Sequence, residues 1–487
     1  MSPGLLILIA VLGIALLLFL VIKVRLQAFL ALLIASLFVA IAAGIPLQEI
    51  PQTIQDGMGS TLGFIAIVVG IGTMFGEMLR ASGGAERLAI TLVSKFGEER
   101  APWALGLTGL IVSVAVFFDV GLIILIPLVY SLTQRTGRSL LYYALPLAAG
   151  LAIGHSYIPP TPGPVAVASL IGADLGWVIL FGVIAGVPAM IVGGIFFAKY
   201  ISGKINAQVP EYMLLEHMPS ASLLDDDDEP ASSSHPHDVR KPEVSSVATQ
   251  ERTEERIDVA QTRPVPSFGI VLGLICIPLV LILLNTVSTV LFAEGNAVRN
   301  FLSFLGHPFT ALIIATLLSF YYLGKRQGFS RREIQDIATK SLEPVGLIIL
   351  VTGAGGVFGK TLVASGVGEA LANAMAATNL PVIVLAFLIA TAVRVSQGSA
   401  TVSMVTSAGL IAPVVQAANL SGPILGLITI SIASGATVLS HVNDSGFWLV
   451  SRYLGISEKN TLRSWTVLET ILGCVGFLVV LIISLFI

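Results

Sequence analysis

Strongly apolar stretches of this sequence contain several ionisable residues, among them Asp119, His155, His441 and Asp444. Ionisable side chains are costly inside a membrane and usually mark the path of an ion or a substrate. A histidine, with a reference pKa of about 6.5, can bind and release a proton near neutral pH. These four residues are therefore our candidates for binding and releasing a coupling proton, and the sequence does not tell which of them carries it. The alternative for each is a buried, hydrogen-bonded structural role, and Asp119 could simply cap a helix.

A second group of polar residues, Ser396, Gln397, Ser399 and Thr401, follows Arg394 in another apolar stretch. Their hydroxyl and amide groups could bind the hydroxyl groups of a polyol, and Arg394 could neutralise a carboxylate. The same hydroxyls could instead bond to the preceding turn of their own helix, and Arg394 could pair with a neighbouring acid. The sequence leaves both interpretations open.

Glycine, proline and polar residues interrupt two further apolar stretches, at 154–164 and 440–446. Such an interruption ends one helix and starts another, and a helix N-terminus presents free N–H groups that suit an anion. We expect both breaks to contribute to one substrate site. The residues that we assign to substrate binding are His155, Thr161, Gly163, Arg394, Ser396, Gln397, Ser399, Thr401, Asn443 and Ser445.

The composition indicates a membrane protein. Of the 487 residues, 55% are hydrophobic and 11% are charged, and the mean hydropathy is +0.92. A soluble domain could not bury so much apolar surface, whereas about ten membrane crossings need it. An apolar run at 4–22 has no basic residue before it, which favours a first transmembrane helix over a cleaved signal peptide. The two cysteines form no disulfide or zinc pattern, and we expect no metal, no cofactor and no nucleic-acid partner.

One glycine-rich pattern occurs twice, and its matched residues are 283 positions apart, as Gly353 is from Gly70. The first copy, Gly70-x-Gly72-x-x-Phe75-Gly76, recurs as Gly353-x-Gly355-x-x-Phe358-Gly359. The chain is therefore predicted to consist of two homologous halves, 1–202 and 266–487, as is common in secondary transporters. The segment between them, 203–265, is polar and acidic, and we expect a disordered linker.

Four apolar segments are too long for one crossing of about 20 residues: 102–133, 142–173, 381–416 and 423–450. Lys and Arg collect on cytoplasmic flanks. Because they flank 102–133 on both sides, this segment is predicted to be a re-entrant hairpin from the cytoplasm, with its tip near 118–121. The flanks of 381–416 contain no Lys or Arg, so this hairpin is predicted to enter from outside, with its tip near 396–399. We interpret 142–173 and 423–450 as broken helices.

Each half then has five crossings and one hairpin, and an odd number of crossings inverts the second half relative to the first. This all-α, polytopic arrangement puts both termini outside and the linker in the cytoplasm. Of 26 Lys and Arg residues, only Arg299 then lies outside, and only Lys360 and Arg394 lie in the membrane. The tips and breaks should converge, because unpaired backbone at membrane depth needs protein or water around it. The segments 80–100 and 366–380 are predicted to lie along the interface.

Four stretches resemble the gluconate permease (gluconate:proton symporter) family of the ion-transporter superfamily. They are His155–Pro164, Arg394–Val402, Ser440–Trp448 and Trp465–Thr470. The resemblance implies import of gluconate or a related sugar acid, with protons, across the cell membrane. It also implies a homodimer in which a transport domain that carries the hairpins moves, elevator-like, against a scaffold domain.

The sequence thus predicts a proton-coupled importer of a small hydroxylated monocarboxylate, driven by a proton gradient. Another organic anion, such as lactate, another aldonate or a dicarboxylate, remains an alternative, as does coupling to Na⁺, which hairpin oxygens could also bind. The sequence contains no Walker motif, which argues against an ATP-driven pump. No nucleophile–base pattern or metal-ligand spacing supports an enzyme. A substrate sensor that signals through the linker is a third alternative.

Overall fold

The computed structural model describes residues 1–210, 263–343, 345–367, 370, 381–420, 422–442 and 444–487. Within these ranges the chain is helical and has no β-strand. Most of the predicted linker, most of the second predicted interfacial segment and the whole of Asn443 lie outside the described residues.

The first half contains helices at all of the segments predicted there. Its helices are α1 (Pro3–Ile22), α2 (Ala28–Ala42), α3 (Ile50–Ala81), α4 (Gly84–Phe96), α5 (Ala101–Val112), α6 (Phe118–Thr136), α7 (Leu140–Tyr157), α8 (Pro162–Ile171) and α9 (Leu175–Ser202). The last of these passes through a π-helical stretch at Ile191–Phe197. The polar helix α4 occupies the first predicted interfacial segment.

The described part of the second half continues the same pattern. Its helices are α10 (Phe268–Leu291), α11 (Ala297–Leu305), α12 (Pro308–Gln327), α13 (Arg331–Lys340), α14 (Val345–Ala364), α15 (Val382–Gln397), α16 (Ala400–Ala417), α17 (Gly422–Thr437), α18 (Ser445–Tyr453) and α19 (Glu458–Ser484). A π-helical stretch also interrupts α19, at Leu462–Thr466.

Nine helices in the described ranges are at least 18 residues long and apolar enough to cross a membrane. They are α1, α3, α6, α9, α10, α12, α14, α16 and α19. An all-helical fold with so many apolar helices is that of a polytopic membrane protein, as the composition predicts.

The helices follow the 283-residue offset of the glycine pattern. Adding 283 to the bounds of α8 and α9 gives 445–454 and 458–485, against Ser445–Tyr453 for α18 and Glu458–Ser484 for α19. One difference stands out, because the single 32-residue helix α3 corresponds to two helices, α13 and α14. The sequence repeat is therefore also a repeat of helices.

Two helix pairs, α5–α6 and α15–α16, occupy the segments predicted to be hairpins. Helix α5 has 12 residues, so it is only about 18 Å long, well short of a hydrocarbon core of about 30 Å. Its partner α6 has 19 residues and is long enough to cross. Helix length alone therefore does not distinguish a re-entrant hairpin from a crossing, and the hairpins stay predictions.

The turn of the first pair differs from the expected position. It lies at residues 113–117 and not near 118–121, so Asp119 belongs to the first turn of α6. The physical reason is that Ser113 ends α5, with its Oγ donating to Leu110 O at 3.1 Å, while a carboxylate suits the first turn of a helix. The second turn, at Gly398 and Ser399, falls within the predicted range.

The repeated glycines allow two helices, α3 and α14, to approach the helix pairs α5–α6 and α15–α16 closely. A Cβ atom added at Gly76 of α3 would collide with the backbone carbonyl of Ala115 in the first turn. At the equivalent Gly359 of α14, an added Cβ would lie 3.1 Å from Gly409 O in α16. Small residues are common where membrane helices pack closely. The repeated pattern is thus explained by close packing and not by nucleotide binding.

This packing predicts opposite effects for two glycine substitutions in α3. Gly76→Ala should destabilise the protein by about 1–3 kcal/mol, because the backbone of Ala115 cannot move aside as a side chain can. Gly59→Ala is the matched control, since an added Cβ there meets nothing within 4 Å, and alanine favours a helix by about 1 kcal/mol. Thermal unfolding of the detergent-purified variants measures both effects. A Gly76→Ala protein as stable as the wild type would contradict the proposed contact.

Candidate functional site

One cavity lies where four parts of the chain meet. They are the start of α6, the turn between α15 and α16, and the two helix breaks. It holds about 590 Å³ of empty space, part of which is open to solvent. Its walls are Phe118, Asp119, Ala152, His155, Ser156, Arg394, Ser399, Ala400, Thr401, Asp444, Ser445, Gly446, Trp465 and Glu469. The expected convergence is therefore present in part, because the turn of the first pair, at 113–117, does not line this cavity.

A buried ion pair joins the end of α15 to the start of α18. Arg394 Nη2 lies 2.6 Å from Asp444 Oδ2, and only 2% of the Arg394 surface is exposed. The other carboxylate oxygen, Oδ1, accepts a hydrogen bond from Gly446 N at 3.0 Å, so Asp444 also caps α18. Ser440 Oγ donates to Oδ2 as well. Asp444 is thus satisfied on both of its oxygens.

The same network extends to the other walls of the cavity. Arg394 Nη1 donates to the carbonyl of Gly398 in the turn of the second pair. Ser440 Oγ accepts a hydrogen bond from Trp465 Nε1 at 2.8 Å, and the Trp465 ring packs against Phe118 of α6 with ring centroids 5.2 Å apart. Four separate parts of the chain are therefore held together around the cavity.

Three cavity residues each retain a buried polar atom without a hydrogen-bond partner among the described residues. These atoms are His155 Nδ1, Arg394 Nε and Glu469 Oε1. Buried polar atoms are nearly always paired in proteins. Unpaired donors and acceptors on the walls of one cavity therefore indicate where a polar ligand would bind.

The charges of the cavity are unequal. Among the described residues, its walls carry three carboxyl groups, on Asp119, Asp444 and Glu469, but one guanidinium, on Arg394, and one imidazole, on His155. With all three acids ionised and the histidine neutral, the walls would carry two net negative charges. In the described part of the chain, no group of three or more His, Cys, Asp or Glu side chains is placed to hold a metal ion.

Seven of the residues selected from the sequence line this cavity. They are Asp119, His155, Arg394, Ser399, Thr401, Asp444 and Ser445. Arg394 pairs with an acid, which is one of the two interpretations left open above, since its Nη2 contacts Asp444; its Nε has no partner among the described residues.

Two candidates from the first break lie elsewhere. Thr161 Oγ1 donates to Ile158 O at 2.7 Å and lines a separate, smaller cavity of about 270 Å³. Gly163 lies against the side chain of Met404. Neither residue is among the described walls of the larger cavity.

Three candidates from the second half also lie outside the cavity walls. Ser396 Oγ donates back to Ala392 O at 2.8 Å, which is the helical alternative weighed above. Gln397 has a buried amide without a described partner, and it does not line the cavity. His441 Nε2 lies 3.1 Å from Val395 O. Asn443 lies outside the described residues.

Sequence reasoning missed Glu469, which is only 4% exposed. It is the one charged residue in the apolar segment 465–487, so the criterion that selected Asp119 would have selected it too. Trp465 and Ser440 were also missed as site residues, and their role is visible only from the hydrogen bond between them.

The comparisons with known proteins agree on a family of transporters. A family model described as GntP family permease matches residues 5–232 and 239–486. The chain is 39% identical to the low-affinity gluconate transporter of Escherichia coli K12 over 474 residues, which are 97% of each chain. It is 34% identical to the Gnt-II system L-idonate transporter of the same strain over 472 residues, again 97% of each. These relatives are named as transporters and not as enzymes.

Solved transporter structures are similar in fold, and one of them serves as an example. The match to the crystal structure of the Alcanivorax borkumensis YdaH transporter has a TM-score of 0.58 at 14% sequence identity. It covers 91% of this chain and 90% of that one.

The buried ion pair predicts a strong effect of one neutral substitution. Asp444→Asn should lower stability by about 3–5 kcal/mol, because it leaves the Arg394 charge buried without a counter-ion. The control is Glu98→Gln, which breaks an ion pair on the surface with Arg135. The side chain of Glu98 is 50% exposed and that of Arg135 is 68% exposed. This control should change stability by less than about 1 kcal/mol. Equal thermal stability of the two purified variants would show that Asp444 is not holding the site together.

Proposed function

Because the chain belongs to the GntP permease family, we propose that it imports gluconate or a related sugar acid by proton symport. It is a multi-pass membrane transporter, and relatives of nearly the same length are named for gluconate and for L-idonate. These two names support a sugar acid as the substrate class. Coupling to protons is supported by the charges of the cavity.

The unequal charge of the cavity is the observation that carries this proposal. Two like unit charges about 4 Å apart repel each other by about 4 kcal/mol at an effective dielectric constant of about 20. A sugar-acid carboxylate entering among Asp119, Asp444 and Glu469 would meet such repulsion, and the guanidinium of Arg394 is already shared with Asp444. A proton that binds with the anion removes one of these charges. Uptake of the anion is therefore favoured when a proton accompanies it.

The walls also offer groups for each part of the substrate. The free Nε of Arg394 and His155 could bind the carboxylate. Ser399, Thr401 and Ser445 lie at the N-termini of α16 and α18 and could bind hydroxyl groups. Both helices direct the positive ends of their dipoles towards this region, which also suits an anion.

We extend the proposal to the membrane arrangement. The pairs α5–α6 and α15–α16 are re-entrant hairpins, and the two halves are inverted, with both termini outside and the linker in the cytoplasm. The matching helix bounds, the shortness of α5 and the distribution of Lys and Arg support this arrangement.

A moving transport domain and a homodimer complete the proposal, and both rest chiefly on the family. One observation supports a separate transport domain. The described cavity walls come from α6, α7, α15, α16, α18, α19 and the adjoining turns, and none comes from α1 to α4 or from α10 to α14. These walls could therefore move as one unit.

The transport proposal predicts accumulation of radiolabelled gluconate in proteoliposomes. An inward proton gradient in Na⁺-free buffer should drive uptake above the external concentration, and a protonophore should abolish it. For one proton per anion, a gradient of about one pH unit supports about tenfold accumulation. Accumulation that requires Na⁺ would instead favour sodium coupling. No gluconate uptake under either gradient would move the substrate to another organic anion, to be found by competition.

The inverted arrangement predicts opposite accessibility of two equivalent positions. Gln48 and Arg331 are exposed and lie 283 residues apart; Gln48 is predicted outside and Arg331 in the cytoplasm. In a variant in which Cys276 and Cys474 are replaced by alanine, a membrane-impermeant maleimide should label Q48C in intact cells. It should label R331C only after lysis. Labelling of both in intact cells would contradict the inversion.

A further inference from the structure

The three carboxyl groups of the cavity differ in their surroundings. Asp444 is paired with Arg394 and hydrogen-bonded to Ser440 and to the backbone of Gly446. Asp119 is exposed. Glu469 is 4% exposed, and its Oε1 is buried without a partner among the described residues. Glu469 is thus the acid whose ionised form is least compensated.

The guanidinium among the described cavity walls has one nitrogen atom that makes no hydrogen bond to the described residues. Arg394 uses Nη2 for Asp444 and Nη1 for the carbonyl of Gly398, whereas Nε is buried without a described partner. Both a substrate carboxylate and an ionised Glu469 would require this positive charge. A buried ion without a partner costs several kcal/mol, so an ionised Glu469 must either gain a proton or compete for Arg394.

We propose that Glu469 carries the coupling proton, and that its ionised carboxylate and the substrate carboxylate compete for Arg394. The inference rests on the proposed proton symport and assigns a residue to it. Proton binding forms the O–H bond of Glu469 and leaves the Arg394 charge to the sugar acid. When the substrate leaves on the cytoplasmic side, Glu469 releases its proton to the cytoplasm, and its carboxylate is then attracted to Arg394. Two states are disfavoured: an empty site in which Glu469 is protonated, because Arg394 then lacks a carboxylate partner, and a loaded site in which Glu469 is ionised, because two carboxylates then compete for Arg394. Substrate movement is therefore coupled to proton movement.

Other titratable groups face the same region. Asp119 of α6, His155 of α7, Arg394 of α15 and Asp444 before α18 share the cavity with Glu469. Tyr157 of α7 lies against α19: its hydroxyl donates to Leu472 O at 3.3 Å, and its oxygen lies 2.9 Å from Ser434 Oγ. Asp119 and His155 will add to the pH dependence of transport, so a pH profile alone cannot assign the proton.

The decisive experiment separates substrate movement from proton movement. Glu469→Gln keeps the shape of the protonated side chain and removes its exchangeable proton. In gluconate-loaded proteoliposomes at equal pH on both sides, E469Q should exchange internal for external gluconate as the wild type does. Under an inward gradient of about one pH unit, its accumulation should fall from about tenfold to none. The matched control is Glu458→Gln, the same substitution at the exposed first residue of α19, which should behave as the wild type in both assays.

Two results would overturn the assignment. Proton-driven accumulation by E469Q equal to that of the wild type would show that another group carries the proton. Loss of exchange as well as accumulation, in an E469Q protein that elutes as a folded species, would show that Glu469 is needed for substrate movement itself. If E469Q does not fold, Glu469→Asp decides. A shift in the pH dependence of accumulation, with the pH dependence of exchange at equal pH unchanged, supports the proposal, and an unchanged pH dependence of accumulation contradicts it.

These results can be told apart from failure of the proposed function. A wild-type protein that does not accumulate gluconate under a proton gradient refutes proton symport of gluconate. A wild type that accumulates gluconate, together with an E469Q variant that also does, refutes only the role of Glu469.

Discussion

The buried pair between Arg394 and Asp444 is the interaction on which the rest of the site depends. Desolvation of two charges can exceed their attraction, and it is offset only when the remaining donors and acceptors also find partners. Asp444 meets this condition through Ser440 and the backbone of Gly446, and Arg394 meets it in part through Gly398. These contacts fix the position of the pair from several sides. Because Nη1 and Nη2 of Arg394 are held by their partners, the orientation of its unpaired Nε is fixed as well.

Interrupted helices create a second requirement, because backbone groups released at membrane depth must find partners within the protein. Short polar side chains meet much of it here. Thr161 donates to the carbonyl of Ile158 in the first break, and Thr466 donates to that of Ser440 in the second. Hydroxyl groups near such a site thus fall into two classes: those that donate hydrogen bonds to unpaired backbone carbonyls, and those that line the cavity. The same residue types occur in both.

That distinction explains how far sequence reasoning reached. Apolar length, glycine and proline located the helix pairs and the breaks to within a few residues, and the repeat of 283 positions predicted matching helices. Residue type, however, does not tell which way a side chain points. Threonine, serine and histidine each occur both on the cavity walls, as Thr401, Ser399 and His155, and away from them, as Thr161, Ser396 and His441. The two groups could not be separated before the packing was known. The turn of the first pair was misplaced because Asp119 suits the start of a helix as well as a tip. Glu469 was within reach of the criterion used, since a lone acid in an apolar helix is unusual wherever it occurs.

The π-helical stretch of α19, at Leu462–Thr466, contains Trp465 and ends three residues before Glu469. A π turn holds about one residue more than an α turn, and one residue corresponds to about 100° of rotation around a helix axis. The side chains beyond the stretch are therefore rotated by about that angle relative to an uninterrupted helix. A single inserted or deleted residue, with no change of residue type, is enough to turn Glu469 towards the cavity or away from it. Members of one fold could in this way gain or lose an acid at the substrate site by a change in helical phase alone.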